Sequence, residues 1–597
     1  MLARSNAPGE TMTFFVLERL AAAESWARER RRALSAAVFG TALLLLFLLM
    51  NRELNIYDEA IVLVDALRVR DGDVIHRDFY SVYGPASYLI LAGLFALFDP
   101  SFIVGRLFGI TVMAGIITVT FYLVLPRVRL LTTLFFVGVC TLWMLAYPFY
   151  LYPLFPSLLM AMIGSAIIVE TGRFPSRRAL FLAGVSTGAT ALFRYDAGFF
   201  VLIAHMLALS LHVVSTTARP KRLSVLLRTG LVYGAGTAAI FMPFAIFFLL
   251  VAPLSAFIAD IIDYPLHHYA AMRGLPFPGI SEIIDHPAAL GVYFPVLGVG
   301  LTLWYLWRER TRGSGSPVKL AADSTNWCVI VFALLSAVLF YKGVVRVHPL
   351  HMMMSTIPAL LAVTIIVDRC WAMGGRARVG AGIAALVALV PPLAATGYEL
   401  SLDMRDPGRT FAGSLLSRAR SAADEASACS PSPSMRHGRL SVDYARTVNY
   451  LRQTMRPDDK LLAAVDHHDR ILVNPVGLYF AAERLPGTHW HHYDPGLQTR
   501  SDIQAQMIRD LQNNDLRWVV RDASFDDVSE PNESSKSSGV HLLDRYIEAN
   551  FRPVRRAGLV EIWLRNDVTA PVMKPDSHCL PDLVSETGVA NPTRVRG

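Results

Sequence analysis

The sequence carries little charge for its length. Asp, Glu, Lys and Arg make up 17% of its 597 residues, whereas a soluble protein usually has about a quarter. The deficit lies in the first two thirds of the chain, where apolar runs recur, and the last third has an ordinary soluble composition. This division excludes a wholly soluble protein and predicts a polytopic membrane protein with an appended aqueous domain.

Cysteine and nucleotide-binding motifs are also scarce. The five cysteines show no CxxC pair and no Cys/His spacing typical of a metal site. Two of them, Cys429 and Cys579, flank the aqueous domain and would pair if that domain faces an oxidising compartment. No P-loop, GxGxxG, HExxH or GxSxG element stands in a suitable context, so nothing predicts nucleotide use. The charged N-terminal segment has no signal cleavage site, so we expect no cleaved leader.

Long apolar runs fill the first two thirds instead. A helix needs about 20 apolar residues to cross about 30 Å of hydrocarbon. On this rule we predict about eleven transmembrane helices, at residues 34–50, 102–125, 130–147, 157–170, 179–193, 197–215, 229–251, 288–307, 326–341, 351–367 and 379–397. They form one transmembrane module, residues 34–397.

Basic residues fall on every second connection between these helices. The basic connections contain the sequences RERRR, PRVR, GRFPSRR, RPKR, RERTR and DRCWAMGGRAR. The positive-inside rule makes these connections cytoplasmic, together with the N-terminal segment 1–33. We therefore expect a multi-pass protein of a bacterial inner membrane, with these parts on its outer side: residues 51–101, 148–156, 194–196, 252–287, 342–350 and everything beyond about 398. Because basic residues set topology here, the net charge of +8 does not indicate a nucleic-acid partner.

One apolar run is too short to be a span. The 14 residues of PASYLILAGLFALF (85–98) would reach only about 21 Å as a helix. Counting this run as a span would also place every later basic loop outside. We therefore predict a re-entrant or interfacial helix within a first outer loop that covers residues 51–101.

The sequence beyond the last span alternates amphipathic helices with short β-type runs. Helical spacing appears in VDYARTVNYLRQTM and IQAQMIRDLQNND, and KLLAAV and LRWVVRD are typical of strands. LLDRYIEANFRPVRRAGLVEIWLR predicts a helix followed by strands. We predict a connector at 398–440, an extracytoplasmic α/β domain at 441–567 and a disordered tail at 568–597.

The first outer loop is rich in acids, namely Asp58, Glu59, Asp65, Asp71, Asp73 and Asp78. We expect a helix from Tyr57 to Arg70 at the membrane surface, with Asp58 and Asp65 seven residues apart on one face. A carboxylate as close to the first span as Asp58 costs free energy unless it is paired or solvated, which favours a functional role. Asp is also a common helix N-cap, so a purely structural role stays open.

Cations gather at two later outer connections. The stretch YKGVVRVHPLH brings together Lys342, Arg346, His348 and His351. Arg binds phosphate through two hydrogen bonds, and Lys and His add donors, so this group suits a lipid phosphate. Anchoring of the helices by snorkelling side chains is the alternative.

In FRYD, Arg194 either forms a local ion pair with Asp196 or faces a cavity and binds an anion. Paired histidines occur at His267–His268, in DHHDR (466–470) and in HWHH (489–492). Each pair could ligate a metal, but no third ligand stands at a fixed spacing from His267 and His268, so packing within loops is the favoured interpretation.

Taken together, these features resemble the GT-C superfamily of integral membrane glycosyltransferases. The chain is similar to the branch that includes protein O-mannosyltransferases and the aminoarabinose and galacturonic acid transferases of lipopolysaccharide. The similarity covers nearly the whole chain, and its most specific parts are YDEA, the YGP…LF…R stretch and RVHPLH. It implies a polyprenyl-phosphate sugar donor and an acceptor at the outer face, which would be a lipid, a polysaccharide or a protein.

The resemblance also implies roles for individual residues. Asp58, with Glu59 beside it, would be the general base. The leaving phosphate would be bound, in order of preference, by Arg346, His348, His351, Lys342 and Arg194. Many relatives carry a second acid in the second outer loop, but YPFYLYPLFPS has none. Asp65 or Asp196 would replace that acid, or the acceptor is held differently. A divalent metal cofactor is possible but unspecified, as are the sugar and the stereochemical outcome.

A flippase or transporter of a lipid-linked saccharide is the alternative function. It predicts polar residues along the span interiors and often repeated halves. The predicted spans here are nearly free of charge at mid-helix, and the polar clusters lie on one face of the membrane. A membrane-anchored sensor would not need so many spans. The glycosyltransferase is therefore the leading hypothesis.

Overall fold

The computed structural model describes residues 8–170, 174–311, 323–418 and 436–570. The chain divides into two compact units. The membrane unit comprises Met1–Met50, Phe108–Ile246 and Pro276–Ala412, and the loop-domain unit comprises Asn51–Leu107, Phe247–Leu275 and Gly413–Gly597. The segments of the loop-domain unit correspond largely to the first outer loop, to the 252–287 loop and to the C-terminal region.

Helices occupy every position at which the sequence predicts a span. Up to residue 418 they are α1 (Pro8–Glu29), α2 (Arg31–Leu48), α3 (Asp58–Arg70), α4 (Ala86–Phe98), α5 (Phe102–Val124), α6 (Leu130–Leu145), α7 (Leu154–Glu170), α8 (Arg177–Phe193), α9 (Tyr195–Thr216), α10 (Arg219–Val251), α11 (Leu254–Ile258), a π-helical stretch (Ala259–His268), α12 (Tyr269–Arg273), α13 (Ile280–Asp285), a 3₁₀ stretch (Pro287–Tyr293), α14 (Phe294–Glu309), α15 (Ser324–Gly343), α16 (Pro349–Met373), α17 (Gly375–Arg405), a 3₁₀ turn (Pro407–Arg409) and α18 (Phe411–Arg418).

Within the described ranges, 8 helical segments are long and apolar enough to cross a membrane. These are α2, α5, α9, α10, the segment Pro287–Glu309, α15, α16 and α17. The helices α6, α7 and α8 have 16 or 17 residues, fewer than the roughly 20 of a full crossing. The total of eleven spans therefore stays a prediction. The short run in the first outer loop is the 13-residue helix α4.

Glycine allows close helix packing in the membrane unit. A Cβ added to Gly184 on α8 would collide with the carbonyl oxygen of Tyr233 on α10, and one on Gly236 would collide with that of Phe181. Membrane helices gain little from hydrophobic burial against each other, so close backbone packing contributes much of their association. A larger residue at either glycine would push α8 and α10 apart.

One chain of hydrogen bonds links buried polar side chains inside the helix bundle. Thr187 on α8 donates to the Tyr233 hydroxyl (2.5 Å), which donates to Nδ1 of His205 on α9 (2.6 Å). His205 Nε2 donates to Ser165 on α7 (2.8 Å), and Ser165 donates to the Ala161 carbonyl (2.9 Å). The donor directions follow from this last bond, because a carbonyl can only accept. The chain links four helices and leaves no ring nitrogen of His205 unbonded.

The C-terminal region contains a small mixed sheet with flanking helices. Its elements are α19 (Val442–Thr454), β1 (Leu461–Val465), α20 (Gly477–Ala482), α21 (Ser501–Asn513), β2 (Trp518–Asp522), a 3₁₀ turn (Glu533–Ser535), α22 (Leu542–Asn550), β3 (Phe551–Ala557) and β4 (Val560–Arg565). The strand order is β1-β2-β4-β3, with β1 parallel to β2 and the other pairs antiparallel. The predicted helices and strands are present, while the domain boundaries and the outer location stay predictions.

The core of this region recruits side chains from other parts of the loop-domain unit. Met507, Leu543 and Ile547 on α21 and α22 pack beside the buried strands β1 and β2. Tyr80 from the first loop and Tyr264 from the π-helical stretch belong to the same core. Burial of these tyrosines joins the three segments of the unit. Nearly all of the predicted tail, and both Cys429 and Cys579, lie outside the described residues.

Candidate active site

Asp58 is the first residue of α3. The side chain of Asn55 fixes this end of the helix, because its Oδ1 accepts hydrogen bonds from the backbone N–H groups of Tyr57 (3.1 Å) and Asp58 (2.9 Å). The Asp58 side chain is half-buried. A carboxylate in the first turn is favoured by the helix dipole. The Asn55 side chain therefore binds two backbone N–H groups at this end of the helix, whose N-cap position is Tyr57.

Glu59 is fully buried in an ion pair. Its Oε2 lies 2.7 Å from Nη2 of Arg106, and both side chains are at most 1% exposed. Arg106 also donates to the carbonyl of Glu53 (2.6 Å). Glu59 Oε2 accepts a longer hydrogen bond from the backbone N–H of Asn55 (3.4 Å). These contacts tie the segment before α3 to the start of α5, where Arg106 lies.

Tyr57, on the other side of Asp58, is anchored to the C-terminal region. Its hydroxyl donates to the carbonyl of Tyr493 (2.5 Å) and accepts from Arg273 (3.2 Å). Arg273 also contacts Asp494 Oδ1 at 3.2 Å, and the Tyr80 hydroxyl donates to Asp494 Oδ2 at 3.1 Å. Burial and the Asp494 carboxylate raise the pKa of Tyr57, so it remains a hydrogen-bond donor. The residues on both sides of Asp58 are thus held by buried charged partners.

The other acids of the first loop have separate partners. Asp65 is fully buried, and its Oδ1 lies 2.6 Å from Nε2 of His491. Burial raises the pKa of Asp65 to about 7. Asp73 pairs with Arg68 (2.7 Å), Asp71 with Arg70 (2.8 Å) and Asp78 with Arg77 (2.7 Å). Asp58 and Asp65 share helix α3, as the sequence predicts, but Asp65 is closed off from solvent.

The membrane unit brings together most of the predicted cations. Arg194 contacts both carboxylate oxygens of Asp196, at 3.1 and 3.0 Å. Lys342 lies 3.2 Å from Asp196 Oδ2. The local Arg–Asp ion pair considered from the sequence is present, and Lys342 from α15 joins it. Two mostly buried cations therefore share one carboxylate.

Aromatic and histidine side chains extend this cluster. The Tyr152 hydroxyl lies 3.3 Å from Arg194 Nη1 and 3.3 Å from His351 Nδ1. His348 caps α16, because its Nδ1 accepts from the backbone N–H of Leu350 (3.3 Å), and its ring centre is 6.0 Å from that of His351. Arg346 lies in the turn between α15 and α16.

The cluster is rich in cations. Arg194, Lys342 and Arg346 each carry a positive charge, and two of them share the carboxylate of Asp196. The helices α9 and α16 both begin at residues of this cluster. Helix N-termini favour anions through their free N–H groups and dipole. This arrangement can bind a phosphate.

The paired histidines have different surroundings. His267 is exposed and hydrogen-bonded to Asp263 (2.9 Å). Among the described residues, two groups have ligand atoms close enough for a metal ion: Asp65, His491 and His492, and Asp466, His467 and Asp526. The motifs HWHH and DHHDR each contribute to one of them.

Sequence reasoning missed several residues of these networks. Tyr152 comes from the aromatic loop YPFYLYPLFPS, whose repeated tyrosines were the available signal. Arg106 lies within the YGP…LF…R stretch, and Arg273 lies in the histidine-rich 252–287 loop. Nothing local pointed to Asp494, because its partners lie 221 and 414 residues away.

Solved structures resemble this chain at low sequence identity. ArnT from Cupriavidus metallidurans in the apo state has a TM-score of 0.50 and 14% identity over 91% of this chain and 98% of its own. The same ArnT bound to undecaprenyl phosphate has a TM-score of 0.48 and 14% identity, covering 92% and 99% of the two chains.

An oligosaccharyltransferase from Archaeoglobus fulgidus in complex with Zn and sulfate has a TM-score of 0.42 and 13% identity, covering 81% of this chain and 68% of its own. No protein-family model and no curated protein matches the sequence. ArnT and the oligosaccharyltransferase are both GT-C glycosyltransferases. The likeness to apo ArnT over nearly the full length of both chains shows that this protein has the GT-C fold.

Proposed function

We propose that the protein is a membrane glycosyltransferase that moves a sugar from a polyprenyl-phosphate donor to a hydroxyl of an envelope lipid, polysaccharide or protein, on the outer face of a bacterial inner membrane. The observation that carries this proposal is the GT-C fold, shared with apo ArnT over 91% of the chain. The anchored acid at the start of α3 and the cluster of cations in the membrane unit support it.

Asp58 is the general base in this mechanism. Its carboxylate takes the proton of the acceptor hydroxyl while the hydroxyl oxygen attacks the anomeric carbon of the sugar. A new glycosidic bond forms, and the bond between that carbon and the phosphate oxygen breaks. General bases of this kind accelerate reactions by about 10²–10⁴. The contacts that hold Tyr57 and Glu59 limit the movement of Asp58, which favours such a role.

The leaving phosphate takes the electron pair of the broken bond. Positive groups that stabilise this charge lower the barrier for departure. We assign that role to Arg346, Lys342 and Arg194, with His348 and His351 as additional donors. Asp196 holds Arg194 and Lys342 in place. The burial of Asp65 argues against its use as an accessory acid.

The test is an analysis of the envelope glycans of a strain that lacks the gene, by mass spectrometry. Wild-type protein should restore a sugar that the deletion removes, whereas Asp58→Asn should not. Asp71→Asn is the matched control, since Asp71 is exposed at the opposite end of α3 and should behave as wild type. Unchanged glycans in the deletion strain would overturn the proposal. A lipid-linked sugar that accumulates on the cytoplasmic face would indicate transport instead.

A further inference from the structure

Three metal-ligand side chains meet inside the loop-domain unit. Asp65 lies on α3, and His491 and His492 lie between α20 and α21. Their exposed fractions are 0%, 0% and 1%. One ligand atom from each residue lies within 4.8 Å of the other two. Tertiary folding brings them together, since Asp65 and His491 are 426 residues apart.

His492 has no hydrogen-bond partner on either ring nitrogen among the described residues. Its nearest acid is Asp494, whose Oδ2 lies 3.9 Å from Nε2, too far for a hydrogen bond. A buried polar atom without a partner costs about 1–3 kcal/mol. Nearly every buried imidazole is bonded to protein or to an ordered ligand. Both ring nitrogens of His492 lack a hydrogen-bond partner within the described part of the chain, and a buried carboxylate lies nearby. This combination indicates a bound ion or molecule that contacts the ring.

The donor atoms suit a cation. Each imidazole offers a ring nitrogen as a ligand, and Asp65 offers a carboxylate oxygen. Two imidazoles with one carboxylate form a donor set typical of Zn²⁺, which prefers nitrogen and oxygen ligands in a compact geometry.

Arg68 is the group that a metal must compete with. Its Nη1 lies 3.3 Å from His491 Nδ1. Metal binding through Nε2 would place the ring proton on Nδ1, so this contact would be lost. Arg68 keeps its bonds to Asp73 (2.7 Å), the Thr488 carbonyl (3.0 Å) and the Asp78 carbonyl (2.9 Å). The carboxylate of Asp73 would still neutralise the guanidinium, and the two carbonyls would still hold it, after the contact with His491 is lost.

We propose that Asp65, His491 and His492 bind one divalent transition-metal ion, zinc in preference to others, which clips α3 to the C-terminal region. Both sides of the clip belong to the loop-domain unit. The inference does not depend on the proposed function, because it concerns a buried metal rather than the chemistry of transfer. It gives Asp65 a role other than that of an accessory acid.

The test begins with the metal content of the full-length protein. We expect about one zinc ion per chain after purification without chelator. His492→Gln should lower the zinc content at least 10-fold, and Asp65→Asn should do the same. His467→Gln is the matched control, because His467 belongs to the other group with metal-like spacing. That variant should keep its zinc.

A spectroscopic measurement on the wild-type protein covers the case in which a variant does not fold. X-ray absorption at the zinc edge should show nitrogen and oxygen ligands at about 2.0–2.2 Å with imidazole scattering. Removal of zinc with EDTA should lower the unfolding temperature, and added ZnCl₂ should restore it.

The proposal is overturned if the wild-type protein contains no metal and ZnCl₂ does not shift its unfolding temperature. It is equally overturned if His467→Gln loses the zinc while His492→Gln keeps it, or if sulfur ligands appear.

Discussion

Asp58 and Glu59 are adjacent acids with different surroundings. Glu59 lies in a buried ion pair with Arg106, whereas Asp58 is half-buried at the start of α3. A buried carboxylate that already neutralises an arginine is a poor candidate for taking a proton from an acceptor. Of the two acids implied by the family resemblance, we therefore assign catalysis to Asp58 and a structural role to Glu59.

The role of Glu59 can be tested through stability. Glu59→Gln would leave Arg106 buried without its carboxylate, which should cost about 3–5 kcal/mol. We expect a clearly lower unfolding temperature in detergent by differential scanning fluorimetry, and a smaller loss when Arg106→Met is added. An inactive Glu59→Gln protein with an unchanged unfolding temperature would contradict this and would make Glu59 catalytic.

The role of Arg346 can be tested through donor binding. A hydrogen bond to a charged group contributes about 1.5–3 kcal/mol, so Arg346→Ala should raise the KM for the donor about 10- to 100-fold. Arg308→Ala is the control, because Arg308 is a cation near the end of α14 outside the cluster. Equal KM values for both variants would indicate that Arg346 only anchors the helix.

Helix α3 depends on contacts made by residues near its start. Tyr57 contacts the Tyr493 carbonyl and Arg273, and Arg273 contacts Asp494. These groups come from all three segments of the loop-domain unit. The C-terminal region therefore has a structural role for the first outer loop, because without it Tyr57 would lose its bond to the Tyr493 carbonyl and Arg273 would lose its contact with Asp494.

A pair of tyrosine variants tests whether this anchoring affects activity. Tyr57→Phe removes the hydroxyl of the residue before Asp58, and with it the bonds to the Tyr493 carbonyl and Arg273. We expect kcat to fall about tenfold with little change in KM, because a small misplacement of a catalytic group costs that much or more. Tyr80→Phe removes a hydrogen bond to the same Asp494 carboxylate but no bond to Tyr57, and should retain kcat. Steady-state kinetics of both variants, with kcat and KM compared to those of the wild-type protein, test this expectation. Equal effects would show that the network only stabilises the fold.

At the scale of the whole molecule, the transmembrane topology predicts on which side of the membrane the C-terminal region lies. Clusters of basic residues fall on every second connection, so the C-terminal region should lie outside the cytoplasm. An alkaline phosphatase fusion after Arg565 should therefore be active, and one after Arg310 should be inactive. The opposite pattern would place the acids and the C-terminal region in the cytoplasm.

The local elements of the fold could be predicted from the sequence, because each depends on short-range patterns. Apolar runs located the long helices, and the short run 85–98 forms a 13-residue helix, whose place at the membrane surface stays a prediction. Amphipathic spacing found α19, α21 and α22, and β-type runs found β1 and β2. The Arg194–Asp196 pair was also foreseeable, since the two residues are neighbours.

Long-range pairing could not be predicted in this way. Arg106 neutralises Glu59 from 47 residues away, and Asp494 contacts Arg273 from 221 residues away. The sheet order β1-β2-β4-β3 likewise depends on which strands meet, which the pattern of one strand does not encode. The same limit applies to Asp65 and His491, whose proximity is a product of tertiary folding.

The most direct test of the central claim is a transfer assay with purified protein in liposomes. Radiolabelled undecaprenyl-phosphate sugars and an extract of envelope acceptors serve as substrates, and the release of undecaprenyl phosphate is measured. We predict release with wild-type protein and with Asp71→Asn, and a loss of at least about 100-fold with Asp58→Asn. An Asp58→Asn protein that transfers sugar at the wild-type rate would contradict the account.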